Sequence, residues 1–204
     1  MHFSWLGATA IKIQTKPFAE DIVLLVDPYR PKTGDFPRSL TPHIALFTRG
    51  EAGAITLSGN PFILATPGEI ETKGVLVTAV TGNSADTVMF RIDAEDLSVG
   101  HLGLAAAPLT NEQLEVLSNV DVLLVPVGGK GMYDAEEAMK AVNAIEPRVV
   151  IPMAFQSDND PDYDKAEKFL KEMGAANGAA EKKVIIKKKD LPQEETRVIV
   201  LAKE

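Results

Sequence analysis

The sequence predicts an α/β fold, because strand patterns fill its first half and helices alternate with strands in its second half. Residues 22–26 form a continuous apolar run that stops at Asp27-Pro28, which is typical of a strand buried on both faces. Two similar runs, at 122–125 and 149–151, each end at a proline and lie between helical patterns. A sheet covered by helices is the arrangement that buries all of these faces.

Further strand patterns occur along the chain. They are short apolar runs or alternations of apolar and polar residues, at 11–14, 44–47, 75–80, 88–92, 97–99, 184–186 and 198–201. The strands of the first half are separated by short connections, such as the turn over residues 93–96. Short connections favour antiparallel pairing, so the first half is predicted to be mostly antiparallel.

Three helices are predicted in the second half, beginning at Thr110, Asp134 and Asp160-Pro161. The first two begin with capping-box patterns, and the third has a proline at its first position. Pro147 ends the second helix and Gly174 ends the third. The Gly- and Ala-rich residues from 174 to 180 are predicted to form a loop.

Composition limits the possible functions. The 204 residues are predicted to form a single domain over residues 1–204. The net charge of −8 argues against nucleic acid as a partner, because phosphate binding needs a basic face. The absence of cysteine excludes disulfides, Cys-type zinc sites and thiol nucleophiles. No signal peptide or membrane-spanning run is evident, so no membrane partner is expected and a cytoplasmic location is the default expectation.

Several segments, taken in order, resemble the metallo-β-lactamase superfamily, and within it the branch of ascorbate-6-phosphate lactonase-like hydrolases. They are FSWLGATAIKI (3–13), IVLLVDP (22–28), PGEIETKGVLVTAV (67–80), DVLLVPVGG (121–129), EEAMKAVNAIEPRVVIPMAF (136–155) and KDLPQEETRVIVL (189–201). The resemblance implies a four-layer αββα sandwich with an active site at one edge. It also implies one or two divalent metals that activate a water molecule.

The main metal motif of that superfamily, T-H-x-H-x-D-H, matches the segment from Leu46 to Ala54. Thr48 is retained, but Arg49 and Glu51 stand where the first two histidines would be, with Gly53 and Ala54 at the Asp and the third His. Arginine stays protonated and cannot bind a metal, and glycine and alanine have no ligand atoms. Within this motif, only Glu51 could donate an oxygen.

The remaining motif positions are also altered. Ala8 replaces the His of the early Gly-His pair, His101 stands at the position of a bridging Asp, and Ala154 replaces the last His. The chain contains three histidines in all, whereas a catalytic zinc site needs about three protein ligands around one point. The candidate pocket therefore comprises eight residues: Ala8, Asp27, Arg49, Glu51, Gly53, Ala54, His101 and Ala154.

Two functional readings follow from this pocket. In the first, the chain is a non-catalytic relative with no metal cofactor, in which Arg49 and His101 bind a small anionic ligand or the protein serves as a scaffold. In the second, it is a metal-dependent hydrolase with an atypical or single-metal site, in which Glu51, His101 and a carboxylate of Asp27 or Asp158 hold one metal, or it hydrolyses without a metal. The resemblance also makes a homo-oligomer plausible.

Overall fold

The structure is a computed structural model that describes residues 1–37, 40–175 and 179–204. Two mixed sheets dominate it. In chain order, the strands are β1 (His2–Gly7), β2 (Ala10–Thr15), β3 (Ile22–Val26), β4 (Ile44–Leu46), β5 (Phe62–Leu64), β6 (Gly68–Thr72), β7 (Val75–Thr81), β8 (Val88–Ala94), β9 (Leu97–His101), β10 (Val122–Pro126), β11 (Val149–Met153), β12 (Val184–Ile185) and β13 (Arg197–Val198).

The first sheet has six strands in the order β12-β1-β2-β3-β4-β5, and the second has seven in the order β13-β11-β10-β9-β8-β7-β6. The sandwich of two sheets with helices that the sequence predicted is confirmed. The apolar sides of both sheets form one continuous core between them, which includes Phe3, Trp5, Ile11, Leu24, Phe90, Val99, Leu124 and Ile151. Every second side chain of a strand points to the same face of its sheet, so alternate apolar residues of each strand point into this core.

Three helices, α1 (Asn111–Leu117), α2 (Ala135–Ile145) and α3 (Ala166–Glu172), contribute to a second apolar cluster on the outer face of the seven-stranded sheet. The capping boxes predicted at Thr110 and Asp134 are both formed. The outer face of the six-stranded sheet is covered by loop residues such as Phe36 and Ile55. None of the helices in the described residues is long and apolar enough to cross a membrane.

Three expectations need correction. The third helix begins at Ala166 rather than near Asp160, because residues 156–164 form hydrogen-bonded turns in which Asp160 contacts Ser157 instead of capping a helix. The strands of the first half do not all pair antiparallel: β3, β4 and β5, at one edge of the six-stranded sheet, pair parallel because long loops join them. The last strand is shorter than predicted and spans Arg197–Val198. Of the predicted loop over residues 174–180, residues 176–178 lie outside the described part.

The topology brings the carboxyl ends of the parallel strands of both sheets to one edge of the sandwich. β3 and β4 end there in the first sheet, and β9, β10 and β11 end there in the second. The β1–β2 turn lies at the same edge, because β2 pairs antiparallel with β3 and its first residues lie beside the end of β3. In α/β folds, ligands bind at this end of the strands.

Candidate functional site

Asp27 and Thr48 follow the neighbouring strands β3 and β4 and are bonded to each other. The Thr48 backbone N–H donates to Asp27 Oδ1 at 2.7 Å, and the Thr48 hydroxyl donates to Oδ2 at 2.6 Å. Both side chains are buried. Each carboxylate oxygen therefore already accepts a hydrogen bond, and Asp27 fixes the first residue of the loop that carries Arg49.

His101 ends β9 and is fully buried at 0% exposure. Gly103 N–H donates to His101 Nδ1 at 3.1 Å, and Nε2 lies 3.0 Å from the carbonyl oxygen of Thr9. An Nδ1 that accepts a hydrogen bond carries no proton, so we assign the proton to Nε2, which donates to Thr9. Burial lowers the pKa of His101, and the charge of Asp27 opposes that shift.

The neutral state of His101 corrects part of the sequence interpretation. Both ring nitrogens are occupied by backbone groups, so the side chain does not provide the positive charge assigned to it as an anion ligand. It is equally unavailable as a metal ligand in this arrangement, because a ligating nitrogen must offer a free lone pair. The positive charge at this edge comes from Arg49 and its neighbours instead.

Ala8 and Ala154 face each other across the two sheets. Ala154 N–H donates to the carbonyl oxygen of Ala8 at 2.9 Å, and the Trp5 indole N–H donates to the same oxygen at 2.8 Å. Ala8 has a φ of 41° and Ala154 a φ of 51°, both in the left-handed region that costs a residue with a Cβ energy. The bond from Ala154 fastens the β1–β2 turn of the six-stranded sheet to the end of β11 in the seven-stranded sheet.

The loop after β4 separates the remaining predicted residues from this buried group. Arg49, Glu51 and Gly53 are exposed, and Ala54 is half-buried. Asp27, Arg49, Gly53 and Ala54 line one shallow cavity of about 200 Å³. The structure thus brings Asp27 and His101 together in the interior, while Arg49 and Glu51 lie exposed at the surface.

These residues do not fit the metal centre that the fold implies. Among the described residues, no group of three His, Asp or Glu side chains is placed to hold a metal ion. Asp27 and His101 are committed to Thr48 and to backbone groups, and Glu51 is exposed. The hydroxyl of Thr9 is buried and has no partner in the described part of the chain, but one hydroxyl does not make a ligand set.

A larger cleft of about 510 Å³ adjoins this edge, and the sequence interpretation missed most of it. Arg49 lies on one side of it, and the loops after β3 and β11 form the others; their lining residues include Tyr29, Arg30, Lys32, Asn159, Asp160, Asp162 and Tyr163. The signal was present in the sequence, because the polar and aromatic residues of both loops follow strands that end at this edge.

Hydrogen bonds tie two walls of the cleft together. The Tyr29 hydroxyl donates to Asp160 Oδ2 at 3.0 Å and accepts from Asn159 Nδ2 at 3.0 Å. Gly7, with a φ of 109°, lies beneath them, and a Cβ there would lie 2.6 Å from the Tyr29 hydroxyl oxygen. Burial raises the pKa of Tyr29. The cleft is therefore preformed.

Two acidic residues and one tyrosine complete the description of this region. Asp158, a carboxylate that the sequence suggested as a metal ligand, is exposed and is bonded to Lys203 Nζ at 2.9 Å, which lowers the pKa of its carboxyl. Asp160 instead lines the cleft. Burial and the charge of Asp160 raise the pKa of Tyr163, whereas Arg49 lowers it. Tyr163, Asp160 and Arg49 all line this cleft.

Comparisons with known proteins identify the family. A family model described as a β-lactamase superfamily domain matches residues 2–154. The chain is 24% identical to a UPF0173 metal-dependent hydrolase of Methanopyrus kandleri over 85% of this chain and 93% of that protein. It is 26% identical to a protein of the same name from Methanosarcina mazei, over 91% and 95%.

Solved structures share the fold. A Thermotoga maritima protein that has been assigned as a Zn-dependent hydrolase of the metallo-β-lactamase superfamily has a TM-score of 0.82. It is 23% identical, and the match covers 98% of both chains. A metallo hydrolase of Ignicoccus hospitalis has a TM-score of 0.66, at 15% identity, covering 91% of this chain and 99% of that one. At these identities the likeness concerns the fold alone.

The relatives overturn the expectation of a non-catalytic protein without a metal cofactor, because proteins that align over nearly their whole length are named metal-dependent hydrolases. The expectation was wrong because it counted ligands at the positions of one two-metal motif. Such a count describes how that particular centre is built and does not decide whether the neighbouring cleft binds and hydrolyses a substrate. On the match over residues 2–154 and the shared two-sheet fold, the chain belongs to the metallo-β-lactamase superfamily.

Proposed function

We propose that this chain is a hydrolase of small anionic molecules with an atypical metal requirement, and that its substrate binds in the cleft beside Arg49. The names of the relatives support the reaction class. The observation that carries the proposal is the position of Arg49, which is exposed and lines three adjoining cavities at the strand-end edge. It forms no ion pair with any residue in the described ranges.

Charge supports an anionic substrate. The larger cleft contains three cationic side chains, Arg30, Lys32 and Arg49, against two carboxylates, Asp160 and Asp162. This local excess of positive charge stands out in a protein with a net charge of −8. A guanidinium group can bind a carboxylate or a phosphate through two parallel hydrogen bonds, which gives orientation as well as affinity.

Asp160 is the carboxylate best placed to accept a proton from water in this cleft. Its Oδ2 accepts from the Tyr29 hydroxyl at 3.0 Å and from the Ser157 hydroxyl at 3.4 Å, while Oδ1 accepts no hydrogen bond from the described residues. We propose that Oδ1 of Asp160 accepts the proton of the attacking water. The water oxygen then forms a bond to the substrate carbon or phosphorus, the bond to the leaving oxygen breaks, and the proton passes from Asp160 to that oxygen.

The names of the relatives imply a divalent metal. When bound, such an ion polarises the scissile group and lowers the pKa of its water. The side chains of the described residues do not form the ligand set that a two-metal centre needs, so none of the roles assigned here depends on one. The metal requirement is therefore a quantity to measure. Phosphorylated lactones and phosphodiesters are the first substrates to test, because the segments along the chain resemble lactonase-like hydrolases.

The test compares Arg49→Ala with a matched arginine at the opposite end, Arg148→Ala. Turnover of phosphorylated lactones and phosphodiesters is measured with EDTA and with added Mn²⁺ or Zn²⁺, and the metal content of untreated protein is determined. We expect Arg49→Ala to raise KM for anionic substrates about tenfold or more, because the variant loses a charge-assisted hydrogen-bonded pair with the substrate. Arg148→Ala should leave KM unchanged. Absence of turnover under every metal condition would contradict the proposal.

A further inference from the structure

Three hydrogen bonds cross from one sheet to the other at the strand-end edge. His101 Nε2 donates to Thr9 O at 3.0 Å, Ala154 N donates to Ala8 O at 2.9 Å, and Val88 N donates to Thr48 O at 2.8 Å. The acceptors belong to the six-stranded sheet and the loops at its ends, and the donors to the seven-stranded sheet. We call these three bonds the clasp. His101 provides the one side-chain bond in it.

The second nitrogen of His101 is connected to Arg49 through Gly103 and Thr48. Gly103 N–H donates to His101 Nδ1 at 3.1 Å. Gly103 packs against Thr48 so closely that a Cβ there would lie 2.9 Å from the Thr48 Cβ, and its φ of 58° suits glycine. Thr48 is held from the other side by both oxygens of Asp27, and Arg49 is the next residue. A continuous line of contacts thus joins the imidazole to the backbone of Arg49.

We propose that the two nitrogens of His101 have separate roles: Nε2 fastens the sheets, and Nδ1 holds Gly103 against Thr48 and so positions Arg49 for its anion. His101 is then a positioning residue that does not touch the substrate. This inference rests on the proposed function, because it assigns an effect on the anion site at Arg49. It gives the buried imidazole a purpose that neither metal binding nor positive charge accounts for.

Two substitutions separate the roles. In His101→Gln, the terminal amide can still donate to Thr9 O, but the acceptor for Gly103 N–H is lost. In His101→Asn, the amide oxygen can replace Nδ1 as the acceptor for Gly103, but the donor to Thr9 is lost. The probe is inorganic phosphate, titrated into wild type, Arg49→Ala and both His101 variants, with Tm measured for each.

We expect His101→Gln to weaken phosphate binding about tenfold, which is the lower end of the loss seen when a residue that orients a metal ligand is replaced, with the smaller fall in Tm. His101→Asn should show the larger fall in Tm with affinity within about twofold of wild type. Equal losses of affinity in the two variants, or losses that follow Tm, would overturn the inference. If Arg49→Ala loses binding but His101→Gln does not, the inference fails while the anion site stands.

The tautomer provides a test that needs no variant. In ¹⁵N NMR spectra of the wild-type imidazole, Nδ1 should show the shift of an unprotonated acceptor and Nε2 should carry a slowly exchanging proton. A proton on Nδ1 would overturn both assigned roles, whatever the variants do. If wild-type protein binds no phosphate, the anion site of the proposed function fails and the positioning role fails with it, whereas the Nε2–Thr9 bond is still decided by this spectrum.

Discussion

The two ends of the sandwich differ in the net sign of the charged side chains that form no ion pair among the described residues. At the end opposite the clasp, a cavity of about 820 Å³ is larger than the cleft beside Arg49, at about 510 Å³. Its buried carboxylate, Asp121, accepts hydrogen bonds from Ser98 N–H and Lys188 Nζ, both at 2.9 Å, and Arg148 donates to Gln193 O at 2.7 Å. The acidic side chains that also line this cavity, Glu146, Glu194 and Glu195, form no ion pair with the described residues, so the net unpaired charge at this end is negative.

The clasp end leaves charges available. Arg30, Lys32 and Arg49 form no ion pairs with the residues that the structure describes, and one oxygen of Asp160 accepts no hydrogen bond there. The comparison teaches that the sign of the unpaired charge distinguishes the two ends, which cavity size does not. Unpaired positive charge at the carboxyl ends of strands is the feature on which the proposed anion site rests.

The largest expected effect is at Asp160. Asp160→Asn keeps an oxygen that can accept from the Tyr29 hydroxyl but cannot take a proton from water, so kcat should fall about 10²- to 10⁴-fold with KM little changed. Asp162→Asn, in the same cleft, is the matched control and should retain most of kcat. Steady-state kinetics on the anionic substrates measure both. Similar losses of kcat in the two variants would show that turnover depends on the negative charge of the cleft and not on Asp160 as the proton acceptor.

A smaller effect is expected from acid, and it should arise at the clasp end. The pKa of buried His101 is lowered, so the unfolded chain binds the proton first as pH falls. The stability that neutral His101 contributes is complete above the unfolded value of about 6.5 and is lost as pH falls toward the folded pKa. The free energy of unfolding should decrease by up to about 1.4 kcal/mol per pH unit in that window.

Urea unfolding between pH 8 and pH 5.5 measures this slope. His101→Asn should flatten it, because the variant has no group there to protonate. His2→Gln is the control, since His2 is half-exposed and its removal should leave most of the slope in place. A slope that survives His101→Asn but disappears with His2→Gln would place the acid response away from the clasp.

Sequence periodicity could predict the two sheets because each buried strand leaves a local apolar run, as at residues 22–26 and 122–125. It could also predict that Asp27, Arg49 and His101 lie at the ends of strands, since all three come just after such runs. It could not predict that His101 would be neutral, because that depends on Gly103 and on Thr9, which is distant in the chain. The polar residues of the two loops that line the cleft could be recognised in the sequence, but the hydrogen bonds of Tyr29 with Asn159 and Asp160 could not, because they join loops of different sheets.

The smallest expected effect concerns backbone strain at the two ends. Glu146, at the end opposite the clasp, is exposed with a φ of 57°, so Glu146→Gly should relieve strain and raise the free energy of unfolding by about 0.5–1 kcal/mol. Ala154 has a similar φ of 51° but is fully buried, so Ala154→Gly also loses a methyl group worth about 0.8 kcal/mol and should be nearly neutral. Urea unfolding of both variants measures the difference. Equal stabilisation of the two variants would mean that the Ala154 methyl group contributes nothing to packing. The left-handed backbone at Ala154 would then serve to set the course of the chain after β11, and not to place a side chain.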